Sequence, residues 1–263
     1  MASTAALQRV VSMPPPRHVA TAPILRAVGR SVPTCSACGS LSFCLPFGVE
    51  HDAGWQMDDL VAQRIRLRKG DVLVHSGDRF TGLYAIRSGS CKSVVTTASG
   101  QEQIAGYHIA GEVLGAEAIF MSAHDSTITA LEDSEVCVMP FERMESLARQ
   151  NSDFQRNLNA LLSREIARER KIMLMLGTMR AEQRLAAFLL DLADRYRARG
   201  YSSCEFVLRM TREEIGSHLG LKLETVSRLF SRFHQDGLIR VQGRDVKLLD
   251  RMALQQLVDA TLQ

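Results

Sequence analysis

Proline divides this chain into two regimes. All seven prolines lie at or before Pro140, so residues 141 to 263 contain none. Proline interrupts the hydrogen-bond ladder of a helix, so its absence suits long helices there. Glycine marks the other regime. Gly77, Gly89, Gly100 and Gly111 recur every 11 or 12 residues, with β-type runs Val72–Val74, Leu83–Ile86 and Ser93–Thr97 between them. Strands at that spacing with glycine turns predict a sandwich or barrel. Residues 57 to 140 are therefore read as a small antiparallel β-roll in an α+β chain.

Composition narrows the function. With 263 residues and 46% hydrophobic content, the chain has enough apolar material for a packed core in one large domain or two ordinary ones. A net charge of +3 is too small for a uniformly basic nucleic-acid binder, so any basic surface must be local. No apolar run approaches the roughly 20 residues that span a bilayer. No Asp or Glu precedes Glu50, while Arg9, Arg17, Arg26 and Arg30 are scattered through a Ser/Ala/Pro-rich start. That pattern resembles a mitochondrial transit peptide, but Pro14-Pro15-Pro16 opposes a continuous helix and no secretory apolar core is present. Residues 1–34 are expected to be a disordered extension and the thiols to sit in a reducing, cytoplasmic compartment.

Residues 141–180 read as one long helix. Leu158, Leu162, Ile166, Glu169, Met173, Leu176 and Arg180 follow one another at intervals of 4, 4, 3, 4, 3 and 4 residues, close to a heptad stripe. One reading packs the stripe on the chain's own roll. The flanking Arg164, Arg168, Arg170 and Lys171 favour the other, a parallel homodimer seam. Glu169 would then meet its own copy across the two-fold axis, and paired carboxylates cost stability. Neutralisation by Arg168 or Arg170 is expected, and the seam is read as deliberately weak.

Residues 181–263 read as a winged helix-turn-helix. Leu185, Phe188, Leu189 and Leu192 form the apolar face of a helix from Glu182 to Tyr196. Thr211 with Glu214 makes a capping box for a helix that stops at Gly220. A second helix runs from Glu224 to His234, and a hairpin through Gly243-Arg244-Asp245 follows. This order is that of a DNA reader. Glu224, Ser227, Arg228 and Ser231 or Arg232 share one face, with Val226, Leu229, Phe230 and Phe233 opposite. Arg can take guanine bidentately, and Glu can accept from cytosine. Thr211 and Thr225 complete the expected contact set.

Cys35, Cys38 and Cys44 form C-x2-C-x5-C within a cysteine-rich segment, residues 35–56. Clustered thiols in a reducing compartment point to a metal, and an all-thiolate set suits zinc or an iron–sulfur cluster. A fourth ligand must come from Cys91, Cys137 or Cys204; spacing does not choose.

Four stretches, C-S-A-C-G-S-L-S-F-C-L-P-F, L-Y-A-I-R-S-G-S-C-K-S, C-V-M-P-F-E and L-G-L-K-L-E-T-V-S-R-L-F, resemble the oxygen-sensing branch of the cyclic-AMP-receptor/fumarate-nitrate-reduction (CRP/FNR) regulator superfamily. The likeness runs from about Cys35 to the end. It implies a cyclic-nucleotide-binding-like jelly roll, a long dimerisation helix and a winged helix-turn-helix. It implies Cys137 as the fourth ligand and one oxygen-labile [4Fe–4S] cluster per subunit. The reader motif E-x-x-S-R maps to Glu224, Ser227 and Arg228, with Leu223 placed to meet a thymine methyl. The implied site is a palindrome resembling TTGAT-N4-ATCAA, and the implied output is control of anaerobic metabolism genes. RNA polymerase is the implied partner, through the loop from Thr96 to Gln103. Two departures, Gly39 and Phe43, flank the ligands. Asp125 stands where the cyclic-AMP branch has a phosphate-clamping Arg, so no cyclic nucleotide is expected. The competing readings are a zinc- or thiol-based regulator sensing another redox signal, and an iron dioxygenase. His75, His108 and His124 stand alone and are read as surface or turn residues, so no enzyme is expected.

Overall fold

The structure is a computed structural model that describes residues 35, 38–45 and 57–260. The extension read over residues 1–34 lies outside them. Among the described residues, the roll contains β1 (Gln63–Leu67), β2 (Val72–Val74), β3 (Gly82–Ser88), β4 (Ser90–Thr96), β5 (Glu102–Ile109), β6 (Val113–Leu114), the short α1 (Ala118–Met121), β7 (Ser126–Ala130) and β8 (Ser134–Pro140). They form two antiparallel sheets, ordered β1-β8-β3-β6 and β2-β7-β4-β5. Each of the four recurring glycines turns the chain at positive φ. Gly89 shows why: a Cβ there would lie 2.2 Å from Ser134 Oγ and 2.8 Å from the Asp133 carbonyl oxygen. Between the sheets lie Ile65, Leu73, Ile86, Ile128 and Val136, all buried.

The helical half starts with α2 (Phe141–Gln150) and α3 (Ser152–Thr178). The continuous helix read over 141–180 is thus broken once. Asn151 leaves helical geometry, and its side chain accepts from the backbone N–H groups of Asp153 and Phe154, capping α3. The break lets both helices lie on one face of the roll. Met144, Leu147, Phe154 and Leu161 share a core with Leu83, Val113 and Met139.

Next come α4 (Ala181–Ala198), β9 (Glu205–Val207), α5 (Arg212–Leu219), α6 (Leu223–Gln235), β10 (Ile239–Gln242), β11 (Asp245–Leu248) and α7 (Arg251–Asp259). The wing hairpin gains a third strand, β9, which the sequence reading lacked. Leu185, Phe188, Leu189 and Leu192 of α4 pack against Ile215, Val226, Phe230 and Phe233.

Two junctions join the halves, beside an ion pair of Arg209 with Glu132 at 3.0 Å. The Ile104 backbone N–H donates to Ser217 Oγ at 3.0 Å, and His218 Nδ1 lies 3.1 Å from the Ile104 carbonyl oxygen. Lys92 reaches Glu214 at 2.6 Å. The second junction is Glu112, which sits in the β5–β6 turn and receives Arg168 of α3 at 3.2 Å, Arg195 of α4 at 2.6 Å and Arg199 at 3.0 Å.

Buried groups at and near these junctions are expected to make the fold acid-sensitive. Burial lowers His218 to about 4 and His108 to about 3. Glu112 falls to about 2, although burial alone would raise it, because Arg195 and Arg168 hold the carboxylate charged. All three bind protons more readily unfolded than folded, so stability falls as pH drops. The histidine contributions fade from about 6.5 downward and that of Glu112 from about 4.5 to about 2. We expect the thermal midpoint to decline from about pH 6.5 to pH 4. His218→Asn should shallow that decline, as read by circular dichroism.

Candidate metal centre and nucleic-acid interface

The four cysteines of the expected ligand set come together. The Cys38 N–H donates to the Cys35 carbonyl at 3.0 Å. A short 3-10 turn, Leu41–Phe43, delivers Cys44. Cys137 lies in the middle of β8, paired with Arg64 on β1 and Ala85 on β3. All four line one cavity of about 20 Å³, walled by Leu41, Leu60, Ile86 and Met139. Burial pushes the Cys44 thiol up to about 12 and raises Cys137. Opposing this at Cys137 are the guanidinium of Arg64, which also hydrogen-bonds it, and that of Arg87. Arg64 Nε is buried without a hydrogen-bond acceptor.

This donor set fits a soft metal centre: four thiols, no competing carboxylate on the cavity wall, two nearby guanidinium groups and one buried N–H awaiting an acceptor. The room is smaller, about that of one water. Among the described residues no three ligating side chains stand at metal-binding positions. Enlarging the cavity means moving the segment 38–45 outward, past the hydrogen bonds from Ser40 Oγ to the Arg87 carbonyl and from Asn157 Nδ2 to the Leu45 carbonyl. The other two cysteines stand apart. Cys91 is wholly buried inside the roll, and Cys204 packs against the C-terminal core.

The histidines read as surface or turn residues divide. His75 is exposed, but His108 and His124 are buried. The alternation of β5 turns His108 inward, to Ser93 Oγ at 3.1 Å. His124 lies beside Glu117 at 3.3 Å. Asp125 is exposed at the start of β7, and its carboxyl is raised by partial burial and by Glu117.

The reading helix is α6. Thr211 Oγ1 accepts from the Glu214 N–H, and Glu214 returns the bond to the Thr211 N–H, so the expected capping box is present. Gly220 closes α5 in the left-handed region. Gly216 lets the turn come close, because a Cβ there would lie 2.6 Å from the Leu221 carbonyl oxygen. Val226, Phe230 and Phe233 hold α6 in the core while Leu223, Glu224, Ser227 and Arg228 are exposed and Thr225 is half-buried. Arg228 has no ion-pair partner among the described residues, whereas Arg232 is held by Glu182 at 2.9 Å and Asp236 at 3.5 Å. Lys222 at the N-cap of α6, with Arg240 and Arg244 on the wing, adds exposed cations that the sequence reading did not single out.

The α3 stripe splits into three. Leu158 and Leu162 pack on the roll and Leu176 on the C-terminal core. Ile166 and Met173 are 52% and 68% exposed, with Glu169 exposed between them. Arg168 is committed to Glu112 and the Tyr107 carbonyl, so it does not serve Glu169 as expected. The loop from Thr96 to Gln103 is exposed.

Comparison with known proteins places this geometry. Residues 183–257 match the Crp-like helix-turn-helix domain, and residues 64–151 match the cyclic nucleotide-binding domain. The chain is 47% identical to the transcriptional regulatory protein btr of Bordetella pertussis, over 85% of this chain and 93% of that protein. It is 39% identical to the fumarate and nitrate reduction regulatory protein of Escherichia coli K12, over 86% and 91%. Among solved structures, FixK2 from Bradyrhizobium japonicum is 30% identical, with a TM-score of 0.69 over 75% of this chain and 98% of that chain.

The thiol environments predict reactivity. Cys91 is fully buried and raised to about 12 by desolvation, so it presents almost no thiolate near neutral pH. In metal-free protein under iodoacetamide at pH 8, Cys204 is expected to be alkylated well before Cys91, as read by peptide mass spectrometry.

Proposed function

The chain belongs to the CRP/FNR family of transcription regulators, and we propose that it is an oxygen-responsive member holding one [4Fe–4S] cluster per subunit through Cys35, Cys38, Cys44 and Cys137. The supporting observation is the convergence of three clustered thiols and the sequence-distant Cys137 on one cavity beside Arg64 and Arg87. When bound, such a cluster supplies an oxygen-labile link between the cysteine segment and β8. The residues of this chain then act mechanically. Ligation through Cys44 and Cys137 closes a loop of about 93 residues between those two positions. Leu45 shares a core with Phe154 and Leu161 of α3, so the position of the segment is felt by that helix. Ile166, Glu169 and Met173 are the exposed part of the proposed homodimer seam, and repulsion between Glu169 copies keeps it weak enough to tip.

In the dimer, two copies of α6 read the half-sites of an inverted repeat resembling TTGAT-N4-ATCAA. Arg228 is proposed to take a guanine, Glu224 a cytosine amino group and Leu223 a thymine methyl, with Ser227 and Thr225 beside them. Thr211, at the N-cap of α5, is proposed to stand beside a phosphate. Arg232, tied to Glu182 and Asp236, contributes less than its position suggests. RNA polymerase is the proposed partner at the loop from Thr96 to Gln103, the proposed setting is cytoplasmic, and the proposed output is control of anaerobic metabolism genes. No helix among the described residues is long and apolar enough to cross a membrane. No cyclic nucleotide is proposed as a ligand.

Iron and acid-labile sulfide analysis of protein purified without air tests the cofactor directly; zinc without sulfide would favour the thiol-based alternative. Cys137→Ser should abolish the brown absorbance and weaken both dimer and DNA binding. A Cys137→Ser protein that keeps a four-iron cluster and binds the palindrome would sink the proposal. For the reader, Arg228→Ala is expected to weaken the specific site about 5- to 150-fold and relax discrimination at one base. Arg240→Ala should weaken all sequences alike and reduce the salt slope by about 1, in fluorescence-anisotropy titrations.

A further inference from the structure

A second, larger cleft lies against the cysteine segment and outside the roll. Its volume is about 390 Å³, within the small-ligand range. Four parts of the chain wall it: residues 42–45, the β5–β6 turn at Gly111–Val113, α3 from Asn157 to Arg168, and Arg195 with Arg199 of α4. Four guanidinium groups (Arg164, Arg168, Arg195 and Arg199) face two carboxylates, Glu112 and Glu165, which leaves two positive charges in surplus. The neighbouring Asp191 does not line the cleft, and it divides its charge between Arg195 and Lys171.

The donors are unevenly used. Every polar atom of Arg199 is engaged, by Ala110, Arg195 and Glu112. Arg168 spends one nitrogen on Glu112 and the Tyr107 carbonyl, while its other terminal nitrogen stands 3.7 Å from Glu165, beyond hydrogen-bond range. Arg164 is exposed, with no ion-pair partner among the described residues. One wall is apolar, from Phe43, Leu45, Val113 and Leu161. Phe43 reaches its place under the Arg199 guanidinium, 5.2 Å away, only because residue 111 is glycine; a Cβ there would stand 2.8 Å from that of Phe43.

We infer that this cleft binds a small organic dianion, a dicarboxylate or a phosphate monoester, and so ties the cysteine segment to the helices α3 and α4. Planar guanidinium forks match the paired oxygens of either group. The apolar wall accepts a short carbon skeleton, and the surplus of two charges matches a dianion. A ligand held by Arg164 and Arg168 and resting on Phe43 and Leu45 favours the conformation in which residues 42–45 stay against α3. It therefore biases the same segment that carries Cys44.

Calorimetric titration of the full-length protein, prepared without air, with succinate and separately with inorganic phosphate tests this. Saturable binding of at least one probe is expected, with sodium chloride at matched ionic strength giving none. The stronger probe identifies the head group. Arg164→Glu, an exposed change checked for folding by circular dichroism, should bind at least about tenfold more weakly. Arg164→Lys should keep part of the affinity. No saturable heat with either probe, or equal binding by Arg164→Glu and the unaltered protein, overturns the inference. The readout involves neither DNA nor iron, so failure of the cluster reading would leave this result standing.

Discussion

Glu112 is the interaction on which the arrangement of the two halves depends. Its side chain is only 14% exposed, a costly position for a charge unless partners compensate. Three arginines do so: Arg168 from α3, Arg195 from α4 and Arg199 from the C-cap of α4. Arg195 gives a two-pronged contact through Nε and Nη2, while Arg199 and Arg168 each take one oxygen. Removing one member of such a buried set typically costs about 3–5 kcal/mol, because the remaining charges are left unpaired. The roll, α3 and α4 therefore meet at one point of high stakes, with the β5–β6 turn in contact with both helices.

The cysteine segment borders that point without belonging to it. Cys44 and Leu45 lie on one side, against β8 and α3, and Phe43 lies on the other, over Arg199. Ser40 Oγ donates to the Arg87 carbonyl and Asn157 Nδ2 to the Leu45 carbonyl, which ties the described part of the segment to the roll on one side and to α3 on the other. The Ile104 junction is stiffer. It combines backbone and side-chain hydrogen bonds with the packing of His218 on Tyr107 at 5.1 Å, and it fixes α5 on the roll whatever the segment does.

What the sequence made legible follows from local rules. The glycine period gave the roll because each turn needs positive φ, and it holds at Gly77, Gly89, Gly100 and Gly111 alike. Thr211 and Glu214 announced α5 because a capping box is satisfied within four residues. The break at Asn151 was missed because the helical period continues through it, and only the tertiary placement of Phe154 decides that the chain must turn. Likewise β9 is too short to show its own alternation and exists as a partner for β11. His108 was misread because a histidine inside a strand carries no sign of which face is buried. The burial of Glu112 was invisible for the same reason: its three arginines lie 56, 83 and 87 residues away.

The split of the α3 stripe bears on how a chain with a net charge of only +3 can read DNA. The ends of the stripe are consumed by the chain's own two cores, so the middle, Ile166 to Met173, is what remains for a partner. The proposed seam, that short, would bury little apolar surface, and Glu169 would subtract from it through like-charge repulsion. The few exposed cations of α6 and the wing likewise give one subunit only a modest hold on phosphates. Each weak half becomes useful by coupling to the other, since two reading helices joined by a seam gain effective concentration on a palindrome. In the proposed dimer, a small change in the seam would then be amplified in DNA occupancy, which a strongly basic reader or a permanently locked dimer would not allow.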